Sequence, residues 1–311
     1  MLTLAAGVSY VDLEFQGHAR LIATAVLQGP AGVALVDPGP SSTLPVLRRE
    51  LAQSGISIGD VTTLVLTHIH LDHAGATGSL VRENPAIRVF VHEKGAPHLV
   101  DPSKLRSSAA RLYGDAMERL WGELAPVPAE ALDVLSGGQR VEAAGRRLTV
   151  AYTPGHAAHH VSYFSAETGI AFIGDMAGIR LFPGAPVLPP TPPPDIDLEL
   201  WLQSLSTIEA WRADTLFLTH FGPHTAHPAH LTELREHLDL TSRLVGQSLA
   251  MQGEDAAREE WFSREVRKIL RQRMGDAETH TYDVVGRPDL NWRGLARYLR
   301  KKQLVAQSGP A

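Results

Sequence analysis

The chain has no cysteine in 311 residues, which removes disulfides, thiolate metal ligands and a cysteine nucleophile from consideration. Any transition metal must therefore be held by histidine and carboxylate. Nor is there an excess of basic charge: the formal net charge is -5, which argues against broad phosphate neutralisation and hence against nucleic acid as partner. No apolar run reaches the length of a membrane span. The first residues, Met1 to Gly7, carry no basic segment and soon meet Asp12 and Glu14, so they do not read as a secretion signal. A soluble, cytoplasmic protein without membrane contact is the expectation. No Gly-x-Ser-x-Gly elbow occurs, so a serine-hydrolase mechanism has no sequence support.

What is present begins with enough apolar content, 44%, to bury a large core. Short strand-like runs at Val8 to Phe15, Arg20 to Gln28 and Gly32 to Val36 predict a meander closed by the turn Asp37-Pro38-Gly39-Pro40. Ser41 or Ser42 is positioned to cap the helix that follows. A buried strand at Val61 to Thr67 leads into a ligand-rich loop, then a helix from Ala74 to Arg82 and a strand from Ile87 to His92. Helical periodicity covers Pro102 to Leu124. Strands are expected again at Arg147 to Thr153, Val161 to Ser165, Ile170 to Gly174 and Thr215 to Thr219. Between the last two lies Leu181 to Pro194, with seven prolines in fourteen residues, which dictates a stiff loop. Asp195 or Asp197 should cap the next helix, and from Pro228 onward the pattern is helical.

The chemistry concentrates in His68-x-His70-x-Asp72-His73, four potential ligands in six residues directly after an apolar strand. Imidazole and carboxylate are the donors that borderline divalent metals accept. Three further strand ends add His156 in Thr-Pro-Gly-His, Asp175 in Gly-Asp and His220 in Thr-His. The segments Thr63-Leu64-Val65-Leu66-Thr67-His68 and Thr215-Leu216-Phe217-Leu218-Thr219-His220 differ at one position, as two similar half-domains would. His159, His160, Tyr163 and His224 are candidates for orienting a ligand, and Arg180 for binding an anionic substrate group. Tyr113, Met117 and Trp121 lie at helical spacing suited to a pocket wall or to core. His227 and His230 read as surface or as a helix start.

This ordered set of motifs resembles the metallo-β-lactamase superfamily of binuclear metal hydrolases, over roughly residues 1 to 225. The resemblance implies an α/β fold, a four-layer αββα sandwich with the site at one sheet edge. Here it would comprise a domain over 1–227, with a helical lid insertion at about 102–132, and a C-terminal helical appendage over 228–311. It further implies two divalent ions, zinc foremost with iron or manganese as substitutes. One ion would take His68, His70 and His156, the other Asp72, His73 and His220, with Asp175 bridging. Asp72, His73 and Asp175 would be the residues closest to catalysis. A metal-bridging hydroxide would then attack an ester, thioester or lactone carbonyl of a small molecule. Asp175, in a chain without cysteine, resembles the thioesterase-like and lactonase-like branches rather than true β-lactamases. A phosphodiesterase or nuclease, a mononuclear iron oxygenase acting on a persulfide, and a non-enzymatic module with structural metals are the competing readings. The charged C-terminal helices are compatible with a homodimer.

Overall fold

The computed structural model describes residues 1–225 and 228–308; His227 lies outside the described residues. The first sheet takes seven strands in sequence order: β1 (Leu2–Ala5), β2 (Val8–Asp12), β3 (Ala23–Gly29), β4 (Gly32–Val36), β5 (Val61–Val65), β6 (Arg88–His92) and β7 (Leu132–Leu135). β1 to β4 pair antiparallel as hairpins, and β4 to β7 pair parallel. Parallel neighbours need crossovers, which α1 (Leu44–Ala52), α2 (Leu71–Ala74), α3 (Thr77–Glu83), α4 (Ala96–Val100), α5 (Ser103–Tyr113) and α6 (Met117–Trp121) supply. The second sheet comprises β8 (Arg140–Ala143), β9 (Arg146–Tyr152), β10 (Val161–Ser165), β11 (Ile170–Phe172), β12 (Thr215–Leu218) and β13 (Gly222–Thr225), in the order β13-β12-β11-β10-β9-β8. Its one parallel pair, β11 with β12, is joined through α7 (Leu198–Ala210).

The two sheets share one apolar core, with Leu27, Leu35 and Val65 of the first and Val150, Tyr163 and Phe172 of the second fully buried or nearly so. Helices cover the outer faces, giving the expected αββα arrangement. The sheets are also stitched by hydrogen bonds where their strands end. Val161 N–H donates to Thr67 O at 2.8 Å, Ala23 N–H to Thr219 O at 2.8 Å, and the Tyr163 hydroxyl to Leu66 O at 2.8 Å. Tyr163 is thus a buried tie between sheets.

Three local expectations are corrected. The serines do not cap α1: Ser41 Oγ donates to Gly75 O and Ser42 Oγ to Leu120 O, tying the helix start to neighbouring loops. The periodic stretch at 102–124 breaks into α5 and α6 at Gly114, whose φ of 51° ends the first helix. β1 and β13 are edge strands of four residues each that lack a readable alternation. The proline-rich segment is a loop, with a single bridge between Ile179 and Leu188, and Asp197 caps α7 by accepting from Leu200 N–H.

From residue 228 on, α8 (Pro228–Ala250), α9 (Asp255–Arg271), α10 (Asp276–Gly286) and α11 (Pro288–Ser308) form a helical layer. This layer grips the proline loop. Asn291 Oδ1 accepts from Thr191 N–H at 2.8 Å, and Tyr282 donates its hydroxyl to Pro186 O while accepting from Leu181 N–H. Among the described residues, no helix is long and apolar enough to cross a membrane.

Candidate metal centre

β5 ends at Val65, and two buried residues later the chain presents His68. One turn of α2 then carries Asp72 and His73 on its first residues, with His73 N–H and Ala74 N–H both donating to His70 O. β9 delivers His156 through Pro154 and Gly155. Gly155 has φ 138°, and a Cβ there would stand 2.4 Å from Trp201 Cα, so only glycine lets this turn lie flat against α7. β11 delivers Asp175 after Gly174, where a Cβ would meet Thr67 Oγ1 at 2.5 Å. β12 delivers His220. All seven candidate residues therefore come from the ends of β5, β9, β11 and β12.

The donor atoms gather in two sets. His68 Nε2 and His156 Nε2 lie 2.9 and 3.0 Å from His70 Nδ1. Opposite them, His220 Nε2 is 3.4 Å from Asp72 Oδ2, and His73 Nε2 is 4.0 Å from Asp72 Oδ1. Asp175 stands between. Its Oδ2 is 3.3 Å from His156 Nε2, while Oδ1 is 3.2 Å from His73 Nε2 and 3.5 Å from His220 Nε2.

The far side of each imidazole fixes its tautomer. His156 Nδ1 donates to Pro190 O at 2.8 Å, His220 Nδ1 to Leu21 O at 2.7 Å and His73 Nδ1 to Asp37 Oδ2 at 2.8 Å. Thr67 Oγ1 spends its one hydrogen on Asp37 Oδ2 at 2.7 Å, so at 3.1 Å it accepts from His68 Nδ1. In each of these rings Nε2 is the nitrogen aimed at the cluster, the atom a metal takes once any proton on it has left. Two buried atoms there, His73 Nε2 and Asp175 Oδ1, have no hydrogen-bond partner. Buried polar atoms are ordinarily satisfied, so a cation between them fits. The donor set fits divalent ions, with three-residue groups whose ligand atoms all lie within 4.8 Å of one another.

Electrostatics separate the two sets. Burial lowers His68 well below the usual range and takes His70 down to about 3, with neighbouring imidazoles adding to the effect. His156 is lowered too, by burial above all, although Asp175 opposes it. Burial works against charge at His73 and His220 as well, but the carboxylates of Asp175 and Asp72 outweigh it and raise both, with Asp37 also acting on His73. The carboxylates respond in kind. Burial would lift Asp72, yet His73 and His220 bring it down to about 2.

Asp37 is fully buried beneath the cluster. It accepts from Thr67 N–H, Thr67 Oγ1, His73 Nδ1 and Thr219 Oγ1 at 2.7–2.9 Å. It sits at φ 50°, a conformation that aspartate tolerates better than most residues. Of the outlying candidates, His160 is buried against His68 and engages Thr153 Oγ1 at 2.9 Å, and His159 stacks at 6.0 Å from His68. Arg180 turns away, 3.9 Å from Glu233 and 3.4 Å from His230 Nδ1. It is not among the residues lining the site. His224 packs on His230, outside the cavity. His230, expected at the surface or a helix start, does open α8 but is buried, with Nε2 donating to Ala177 O.

Asp72, Asp175, His70, His156 and His220 open onto a cavity of about 360 Å³. Tyr113 and Trp121 line it, and Met117 does not. Val285, Arg287, Leu290 and Asn291, from the C-terminal helices, close the far wall. The sequence gives no local signal for these four, because their helices show ordinary amphipathic spacing.

A model of the metallo-beta-lactamase superfamily matches residues 19–220. The chain is 33% identical over 145 residues to a metallo-beta-lactamase fold-containing protein of Sulfurisphaera tokodaii, covering 46% of this chain and 53% of that one. It is 31% identical over 160 residues to a hydroxyacylglutathione hydrolase of a Synechococcus species, covering 50% of each. The chain thus spans about half the length of the curated relatives it matches. In structure, a metallo-beta-lactamase family protein of Thermus thermophilus superposes with a TM-score of 0.70 at 24% identity, over 97% of this chain and 95% of its own. An archaeal metallo-beta-lactamase superfamily protein of Sulfolobus tokodaii does so at 0.63 and 23%, over 93% and 98%. These superpositions bear on the fold.

Proposed function

The chain belongs to the metallo-beta-lactamase superfamily, and from that premise we propose that it is a hydrolase that cleaves a carbonyl ester, most readily a thioester, at two divalent ions. The observation that carries the reading is Asp175, whose two oxygens face different histidine sets. His68, His70 and His156 would hold one ion, Asp72, His73 and His220 the other, and Asp175 both. Bound ions would supply an activated water near neutral pH and polarise the carbonyl oxygen.

The protein's own residues do the rest. Asp37, Leu21 O and Pro190 O lock the rings so that no lone pair must be reorganised. Asp72 is partly exposed to the cavity, where its carboxylate, held ionised by His73 and His220, can accept a proton from the attacking water or steer it. The Pro190–Pro194 stretch and α5 line the approach to the cluster, which narrows the access of water to it. Thioester over lactone is supported by the hydroxyacylglutathione hydrolase named among the relatives, while a carboxylate at position 175 in a chain free of thiolates favours both over a β-lactam.

Elemental analysis of protein expressed without added metal should find close to two equivalents of zinc, iron or manganese per chain. A panel of thioesters, lactones, phosphodiesters and β-lactams should then respond first with a thioester. A single iron with oxygen uptake on a thiol substrate would instead establish the oxygenase reading.

A further inference from the structure

The cavity above the cluster divides sharply by chemistry. Its floor is polar, made of the ligand-type residues. Its walls are apolar and come from three separate parts of the chain: Leu105 and Leu112 on α5, Trp121 on α6, Ile179 before the proline loop, and Val285 and Leu290 from the C-terminal helices. Ile179 and Leu290 are each 1% exposed, so they back the wall as packed core, while Leu105, Leu112 and Val285 are only half-buried.

Of the polar groups that reach those walls, Arg287 and Asn291 are already engaged, and His98, Ser108, Tyr113 and His159 are the others. Arg287 is forked onto Asp289 through Nε and Nη2 at 2.8 and 2.5 Å, and its guanidinium lies 5.4 Å from the Tyr113 ring centre. Asn291 gives its carbonyl to Thr191 N–H and its amide to Gly286 O. Lys104 and Asp195 are exposed, at the rim. A ligand group entering beyond the floor therefore meets more apolar than polar contact.

From this arrangement we infer that the acyl side of the substrate is a hydrophobic chain of medium length, with an optimum at about eight to ten carbons. The inference rests on the hydrolase reading above and specifies its substrate. A methylene needs somewhat less than the roughly 30 Å³ a water occupies in the liquid. About 360 Å³ would take about twelve such units if wholly filled, and about eight to ten once room is left for the scissile carbonyl and the groups around it. Short hydroxyacyl groups would leave the walls uncovered and forfeit the gain from burial, close to fourfold in affinity per buried methylene at the upper limit.

The experiment is a series of thioesters of one small thiol, N-acetylcysteamine, with acyl groups from acetyl to hexadecanoyl, given to the metal-loaded full chain. The expected result is a kcat/KM at least about 100-fold higher for octanoyl than for acetyl, falling again beyond dodecanoyl. A profile flat within about threefold, or one declining from acetyl, overturns the inference while leaving metal-dependent thioester hydrolysis intact. If no thioester is turned over, the hydrolytic reading fails, and calorimetry decides the cavity separately. Octanoate binding about 100-fold tighter than acetate supports the apolar site, and equal affinities overturn it. Leu112→Trp and Leu105→Trp, both at half-buried positions, should each lower the octanoyl-to-acetyl ratio at least about tenfold. An unchanged ratio in both also overturns it.

Discussion

Thr67 and Thr219, the residues just before the two ligand-type histidines His68 and His220, donate their hydroxyls to the same atom, Oδ2 of Asp37, at 2.7 and 2.9 Å. The near-identical segments that end in Thr-His thus meet at one buried carboxylate, which also holds His73. One carboxylate aligns both halves of the site.

Replacing Asp37 should therefore damage fold and metal site together. Asp37→Ala strands several buried donors, at a cost on the order of 3–5 kcal/mol, read from chemical denaturation. Metal affinity should fall about 10- to 100-fold, read by titration against a chelator. An Asp37→Ala protein with normal metal content would show that His73 is held by other means.

Removal of the bridge should separate binding from bridging. Asp175→Ala is expected to lower turnover by at least about 10³-fold, in keeping with loss of a group that positions the reacting water. Metal content should drop from two equivalents toward one, because both ions lose the shared ligand and, of the two remaining three-residue sets, only His68, His70 and His156 can bind without displacing protons. His70→Ala should likewise abolish turnover, with its loss falling on the other ion.

Acidification should release the two ions in order. Without metal, His73 and His220 are raised above the ordinary histidine range by carboxylates, so metal must displace protons from them near neutral pH. His68, His70 and His156 are lowered and stay unprotonated. As pH falls through the raised values, the ion at Asp72, His73 and His220 should leave first, weakening about tenfold per pH unit for each proton displaced. Metal content after dialysis between pH 7 and 4.5 checks the order, and simultaneous loss would contradict it.

Backbone fit at Gly155 should be as important as the ligand after it. Gly155→Ala places a methyl against Trp201 Cα at 2.4 Å and should cost about 1–3 kcal/mol. It should also tilt His156 away from its partners, lowering metal occupancy although no ligand is changed. A melting curve and metal analysis on the same sample test both parts.

Asn291→Ala should loosen the proline loop, leaving buried Thr191 N–H without its acceptor at a cost of about 1–3 kcal/mol. Because Pro190 O holds His156 Nδ1, the effect should appear as lower metal affinity as well as lower thermal stability.

The ligand-type residues could be read from the sequence because each follows an apolar strand, and strand ends on one edge of a sandwich converge. The turn at Asp37 was readable, since Asp-Pro-Gly after a strand-like run marks one. The four-way character of its hydrogen bonding was not, because it depends on Thr219, far along the chain. Arg180 misled because its position beside Asp175 says nothing about side-chain direction, and Glu233 on a distant helix takes it. The wall residues Val285 and Leu290 were invisible for a related reason: an apolar residue on an amphipathic helix looks the same whether it meets core or cavity.

The last ligand-type residue is His220, but the cavity is not closed until Asn291. Under the proposed function, part of the wall that would choose among substrates thus lies beyond the last metal donor. A change confined to the stretch after residue 228 could retarget the enzyme without touching a single metal donor. The helices at the end of the chain are where a new diet would be written.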